Sequence, residues 1–440
     1  MKKDEVMIDG IREDSMDTKE KYKVYVNTSF MSAVEPIVIE SAKGATYYDE
    51  NGNTYIDCFA GISVTNTGHG NEAVINAAKA QMDKLVHCCS YVYYNKTMAD
   101  LAEKIAQITP GRLKKSFFGN SGTEAIEGAI RLAKRFTCKN EAIALTQSFH
   151  GRSYATLSLT GNAGRKKGGG PYMPGVAFVP SPYCYRCPFK MGNPEKCSMA
   201  CAENLSEVIR YHTSDNVAFF IAEPIMGEGG IIPPPLSYFK IIKQILDQHE
   251  ILFIADEVQT GFGRTGKMFA IEHYNVEPDI MVMAKGIANG FPLSCFIARD
   301  EIADSFQPGD HLSTFGGNPV SCAASLANIN FMEKNNIAEE SAKKGAMLQD
   351  ALRKIKPKHV AIGDIRGKGL MIGIELVENT DTKVPAAPQA SKIRSALREK
   401  GVLIGVGGVF SNVLRLQPPL IIKEEELQKV ISIFKEVLES

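Results

Sequence analysis

The segment "MVMAKGIANG", Met281–Gly290, sets one lysine, Lys285, between an apolar run and a string of small residues. A lysine so placed ends half buried. An ammonium withdrawn from water without a partner is costly, or the amine gives up its proton. A neutral amine in a dry pocket attacks carbonyl carbon. Four other short apolar runs also lead into reactive or binding residue types. "KSFF" precedes "GNSGTEA", a Gly/Ser turn opening a helix, and "EAIALT" leads to Phe149, His150, Gly151 and Arg152. "VAFFIA" is followed by Glu223, and "ILFIA" by Asp256 and Glu257, with Gln259 close behind.

Each placement has a plain structural reading. Ser121 or Thr123 can be an ordinary helix N-cap. Phe149 can be core, Asp256 can cap a segment or pair with an arginine, Glu223–Pro224 can be a turn, and Lys285 can snorkel to water. The conjunction decides. Free N–H groups of Gly122 and Thr123 at a helix start suit an anion. A carboxylate, an aromatic plate and a desolvated lysine beside such a cradle are what pyridoxal phosphate requires. Lys285 is then the Schiff-base lysine and the base that carries the proton shift.

The elements that position these residues follow from pattern. Short, nearly continuous apolar runs predict strands covered on both faces. Helical spacing in "NEAVINAAKAQMDKLV", "MADLAEKIAQIT", "TEAIEGAIRLAKRF" and "LSYFKIIKQILDQHE" predicts intervening helices. This alternation predicts an α/β fold with a mainly parallel sheet and right-handed crossovers, whose ligands sit beyond the carboxyl ends of the strands. "ATYYDENGNTYIDCFAG" reads as a hairpin, "RGKGLMIGIELV" as a strand hinged on glycines, and "EESAKKGAMLQDALRKI" and "EEELQKVISIFKEVLES" as helices. "VENTDTKVPAAPQAS" reads as a surface loop, and residues 1 to about 30 as frayed or surface-bound. Three units are expected: an N-terminal segment 1–70, a large domain 71–330 and a smaller C-terminal α+β domain 331–440.

The bulk numbers fit a large soluble enzyme. The 440 residues are 44% apolar and carry 50 basic and 50 acidic side chains, so no nucleic-acid or membrane electrostatics are implied. No secretory signal or membrane-length apolar run stands out, which leaves the cytosol as the expected location.

The stretch "FIADEVQTGFGRTGKMFAIEHYNVEPDIMVMAKGIANGFPLS" closely resembles the signature of class III aminotransferases, pyridoxal-phosphate enzymes of fold type I. "GNSGTEAIEGAIRLAKRF", "SFHGR", "IAEPIMGEGG", "STFGGNP" and "NVLRLQPPL" match in the same order, from about residue 35 to the end. The resemblance implies a homodimer, or a tetramer built from it, with the active site at the subunit interface. It implies Lys285 and Asp256 as catalytic residues, Asp256 being the partner of the pyridinium nitrogen. Ser121, Gly122, Thr123, His150, Glu223 and Gln259 join them around the cofactor, and Val258 and Phe149 sandwich its ring. Thr314 would reach the phosphate from the neighbouring subunit. Ile62, Arg152, Glu228 and Arg415 are the implied substrate contacts, in the manner of 4-aminobutyrate and ornithine aminotransferases. There Arg415 binds an α-carboxylate, Glu228 replaces that carboxylate when an ω-amino substrate lacks it, and Arg152 holds the distal acid. "AKGIANGFP" and "GDIRGKGLMIGIEL" look more like the alanine–glyoxylate or β-alanine type. An ω-amino acid donor, whether 4-aminobutyrate, β-alanine or taurine, and 2-oxoglutarate or pyruvate as acceptor are therefore expected. Racemases or epimerases of the same family share Lys285 and Asp256, and form the second reading.

Two further motifs compete. "GFGRTGKM" nearly fits a nucleotide P-loop, but Met268 replaces the Ser/Thr that would bind magnesium. Cys184, Cys187, Cys197 and Cys201 form C-x2-C-x9-C-x3-C, open to a zinc or iron–sulfur reading or to that of a loop of thiols. Cys295 and Cys322 read as packing residues.

Overall fold

The computed structural model describes residues 16–27, 34–191 and 197–440. The short apolar runs form a seven-stranded sheet, ordered Lys115–Gly119, Ser294–Ala298, Ile280–Met283, Leu252–Asp256, Val217–Ala222, Glu141–Leu145 and Val176–Val179. Ser294–Ala298 runs antiparallel to both its neighbours, and the pairings from Ile280–Met283 to Val176–Val179 are parallel.

Side chains on successive residues point to opposite faces, and both faces are covered. Phe219, Ile221, Ile254, Ile280 and Val282 pack with Ile126, Ala129, Ile130 and Ala133 of the helix Gly122–Thr137. Phe220, Phe253, Met281 and Met283 pack instead with Leu205, Ile209, Phe239, Ile242 and Leu246 of the helices Ala200–His212 and Tyr238–Gln248. This two-sided burial removes the polar alternation and explains why these strands read as unbroken apolar runs.

The hairpin Thr46–Asp49/Thr54–Asp57 forms as expected. Its second strand also pairs in parallel with Val402–Leu403, so segments from both ends of the chain share one sheet. A second four-stranded sheet contains Ala361–Lys368, Met371–Val377, Val413–Leu416 and Gly405–Gly407. "RGKGLMIGIELV" is therefore two antiparallel strands and not one hinged strand, the chain reversing through Gly369 at φ 52. The presumed loop "VENTDTKVPAAPQAS" ends in helix, since Ala387–Glu399 starts with a proline in its first turn, where the missing N–H costs nothing. Residues 1–15 and 28–33 of the segment read as frayed lie outside the described residues, while Thr18–Tyr25 is a helix with no buried side chain.

Arg264, from the P-loop-like stretch, is fully buried. Its guanidinium donates to the carbonyls of Leu370 and Pro418 at 3.0 and 2.6 Å and to Asn66 Oδ1 at 2.7 Å. The stretch thus ties the large sheet to both chain ends and presents no phosphate cradle.

Candidate active site

The carboxyl ends of the parallel strands converge on one cavity of about 350 Å3. It is lined by Ser121, Gly122, Thr123, Phe149, His150, Glu223, Glu228, Asp256, Val258, Gln259 and Lys285, all expected there from sequence. Asn120 and Gly151, from the turns read at strand ends, line it too, and Val64, Ile126, Ala284 and Gly290–Leu293 were not foreseen.

At one end the helix Gly122–Thr137 begins. Ser121 Oγ accepts the N–H of Glu124 at 3.3 Å, which leaves the first-turn N–H groups of Gly122 and Thr123 at the cavity, where an anion would complete them. A Cβ at Gly122 would stand 2.8 Å from Val258 Cγ1, so a side chain there would close the space between helix and cavity wall. Gly151, at φ 138, is held by the same crowding: a Cβ would meet Thr123 Oγ1.

Asp256 is 3% exposed. Its Oδ2 lies 2.7 Å from His150 Nδ1, and its Oδ1 accepts the N–H of Val258 at 3.1 Å. The His150 ring is buried and its Nε2 has no partner. The histidine therefore orients the carboxylate from behind, as such pairs do beside metals and cofactors. Glu223 holds the loops in place: Oε1 accepts the N–H of Phe149 at 3.0 Å and Oε2 that of Gly227 at 2.8 Å. Burial raises its pKa, with His150 opposing and Asp256 reinforcing.

Lys285 follows the strand Ile280–Met283 in a left-handed conformation, φ 49, that a lysine seldom adopts. Burial lowers its amine pKa; Glu228 and Asp256 oppose the shift and Arg415 adds to it. The neutral amine expected from the apolar run is thus favoured.

Behind the cavity, Arg415 projects from the strand Val413–Leu416 and is 2% exposed. Its Nη1 donates to Glu228 Oε1 at 2.6 Å and its Nη2 to Gln417 Oε1 at 3.2 Å. The other Glu228 oxygen accepts from Arg165 Nη2 at 3.0 Å. Burial pushes the Glu228 carboxyl up, but Arg415 and Arg165 outweigh it and bring the pKa down to about 2. Arg165 was missed, because nothing in "GRKKGGG" sets one basic residue apart from the next two.

Besides Arg415, which stands behind the cavity wall at Glu228, three expected contacts do not line the cavity within one chain. Arg152 is exposed, its guanidinium 5.6 Å from the Phe149 ring centroid. Ile62, at φ 69, lies in the turn that sends Val64 to the cavity in its place. Thr314 is exposed on its own chain.

The four loop cysteines line a separate small apolar pocket, with Cys201 inside the helix Ala200–His212 and not in a loop. All are free thiols, and residues 192–196 between them lie outside the described residues. Among the described residues, no group of three or more His, Cys, Asp or Glu could hold a metal ion. Cys295 and Cys322 are buried in the core.

An anion cradle, a fixed carboxylate, an aromatic ring and a buried lysine in one cavity fit pyridoxal phosphate: Gly122 and Thr123 would hold its phosphate, Asp256 its ring nitrogen and Lys285 its aldehyde. The chain matches the family description "Aminotransferase class-III" over residues 29–438. It is 40% identical to a leucine/methionine racemase of Thermococcus litoralis, over 90% of this chain and 88% of that one. It is 38% identical to the 5-aminovalerate aminotransferase DavT of Pseudomonas aeruginosa, over 92% and 93%. The solved structure of a Bacillus anthracis aminotransferase superposes with a TM-score of 0.89 at 34% identity, covering 96% and 99%. With the cavity, the fold and these likenesses in agreement, the chain belongs to the class III aminotransferases, pyridoxal-phosphate-dependent enzymes of fold type I.

Proposed function

We propose that this enzyme is an ω-aminotransferase. It moves the terminal amino group of 4-aminobutyrate, β-alanine or taurine to 2-oxoglutarate, with pyruvate the other acceptor, by a ping-pong mechanism. The observation that carries this reading is the Glu228–Arg415 pair beside Lys285. An ω-amino donor presents no α-carboxylate near its reacting carbon, and Glu228 then neutralises Arg415. An α-carboxylate acceptor displaces Glu228 and takes the planar fork of Arg415. Arg152, exposed beside the Phe149 ring, holds the distal acid group.

Bound pyridoxal phosphate supplies the aldehyde carbon and the electron-withdrawing ring. The protein supplies the rest. Gly122, Thr123 and the helix dipole fix the phosphate. Asp256, oriented by His150, would hold the ring nitrogen and favour its protonated form. Gln259 would meet the ring oxygen, and Phe149 and Val258 would flank the ring. The Lys285 amine, its pKa lowered by burial, would take the proton from the amino-bearing substrate carbon and hand it to the coenzyme's former aldehyde carbon.

The active unit is a homodimer in which Thr314 of one chain completes the other's phosphate cradle. Support comes from the surface around Thr314. Leu312 and Phe315 are exposed beside Val86, Val92, Tyr93 and Tyr94, and the two segments are joined by the His87–Phe315 ring contact and the hydrogen bond from Asn318 to the Val86 carbonyl. Exposed apolar side chains clustered in this way favour burial against a second copy. Residues 34–70 and 331–440 form the small domain of each protomer, and 71–330 the large one. A cytosolic location is consistent with ten free cysteines, and no described helix is long and apolar enough to cross a membrane.

The test incubates the holoenzyme with each ω-amino donor and 2-oxoglutarate and follows glutamate. Glutamate formation is expected. Inversion of leucine or methionine without any keto acid, and no transfer from an ω-amino donor, would establish the racemase reading.

A further inference from the structure

Glu228 is held at both ends, by Arg415 on one oxygen and by Arg165 on the other. Only the first pairing is needed to neutralise Arg415. The second matters once a substrate claims Arg415. A carboxylate side chain that is 13% exposed cannot simply swing out to water; without another partner it would be left buried and charged. Arg165 is 30% exposed, on the short helix Ala163–Lys166, and is close enough to Arg152 that its charge acts on that guanidinium.

We infer that Arg165 is a positioning residue: it retains Glu228 when an α-carboxylate occupies Arg415, and so lowers the cost of opening the site to amino-acid and keto-acid substrates. Glu228 then rotates about one ion pair and never loses both. The assignment rests on the two-substrate reading of the site, but its test is separable.

The holoenzyme and its R165M and R165K variants would be titrated in single half-reactions with L-glutamate, L-alanine and 4-aminobutyrate, L-alanine being followed as a competitor of L-glutamate if it is not converted. Loss of one charge-assisted hydrogen bond at this partial exposure predicts a rise of about ten-fold in the half-saturating concentration of both α-amino acids. The saturated rate and the 4-aminobutyrate titration change less than about two-fold, and R165K recovers part of the loss. Unchanged cofactor content and thermal midpoint show that the variants are folded. A loss confined to L-glutamate would mean that Arg165 binds the distal acid directly, and would overturn the inference. So would no loss, or an equal loss for 4-aminobutyrate. If the wild type converts L-glutamate but no ω-amino donor, the two-substrate reading fails, while L-glutamate against L-alanine still decides the role of Arg165.

Discussion

Replacing Glu228 by glutamine keeps the shape of the site and removes the charge that answers Arg415. The Glu228 pKa falls from its ordinary 4.5 to about 2, which corresponds to about 3 kcal/mol of net favourable interaction with the ionised form. Water reaching its 13% exposed side chain screens part of this, leaving about 2–3 kcal/mol. In the wild type, L-glutamate must displace that interaction before its α-carboxylate meets Arg415. In E228Q it need not, so its kcat/KM rises. 4-Aminobutyrate loses the charge that made the pocket neutral around it, since the remaining hydrogen bonds of Arg415, including those to Gln417 at 3.2 Å and Gln259 at 3.5 Å, go to neutral amides. The ratio of kcat/KM for 4-aminobutyrate over that for L-glutamate should fall by about 100-fold. The assay is stopped-flow half-reaction kinetics on matched holoenzyme. A ratio within about three-fold of the wild type would refute the reasoning, because the Glu228–Arg415 pair would then not distinguish the two substrates.

Further perturbations address other parts of the site. D256N replaces the carboxylate 2.7 Å from His150 by a neutral amide and leaves the ring nitrogen without a charge, and should lower kcat by about 10^2–10^4-fold with the thermal midpoint little changed. G122A places a Cβ 2.8 Å from Val258 Cγ1, and the overpacking, about 1–3 kcal/mol, should appear as weaker pyridoxal phosphate binding in fluorescence titration. The acid limb of stability is also expected to depend on Glu228. Its folded-state pKa is depressed, so its contribution is present above 4.5 and is lost as pH falls toward 2. Urea midpoints should drop more steeply over that window in the wild type than in E228Q.

The site was legible where chemistry follows a strand. Asp256, Glu223 and Lys285 each end a run buried on both faces, and a buried run has a clear sequence signal. Ser294–Ala298 was not picked out, and its antiparallel direction has no signature, because a doubly buried strand reads alike in either sense. The split of "RGKGLMIGIELV" into two strands lay in its glycines, with Gly367 and Gly369 both at positive φ, which a reading of apolar alternation passes over. Arg165 was hidden for a different reason. Its partner lies 63 residues away, and only the tertiary fold shows that one basic residue of the three in "RKK" faces a buried carboxylate. Thr314 and Ile62 came from family resemblance alone, and a single chain leaves both away from the cavity.

Every role assigned to the site depends on the Lys285 amine being the group that carries the coenzyme. Borohydride reduction of the holoenzyme, followed by peptide mass spectrometry, tests this directly. The pyridoxyl-phosphate mass should be found on the peptide containing Lys285 and be absent in K285A of unchanged secondary structure. Label on a different lysine, or none at all from enzyme saturated with pyridoxal phosphate, would contradict it.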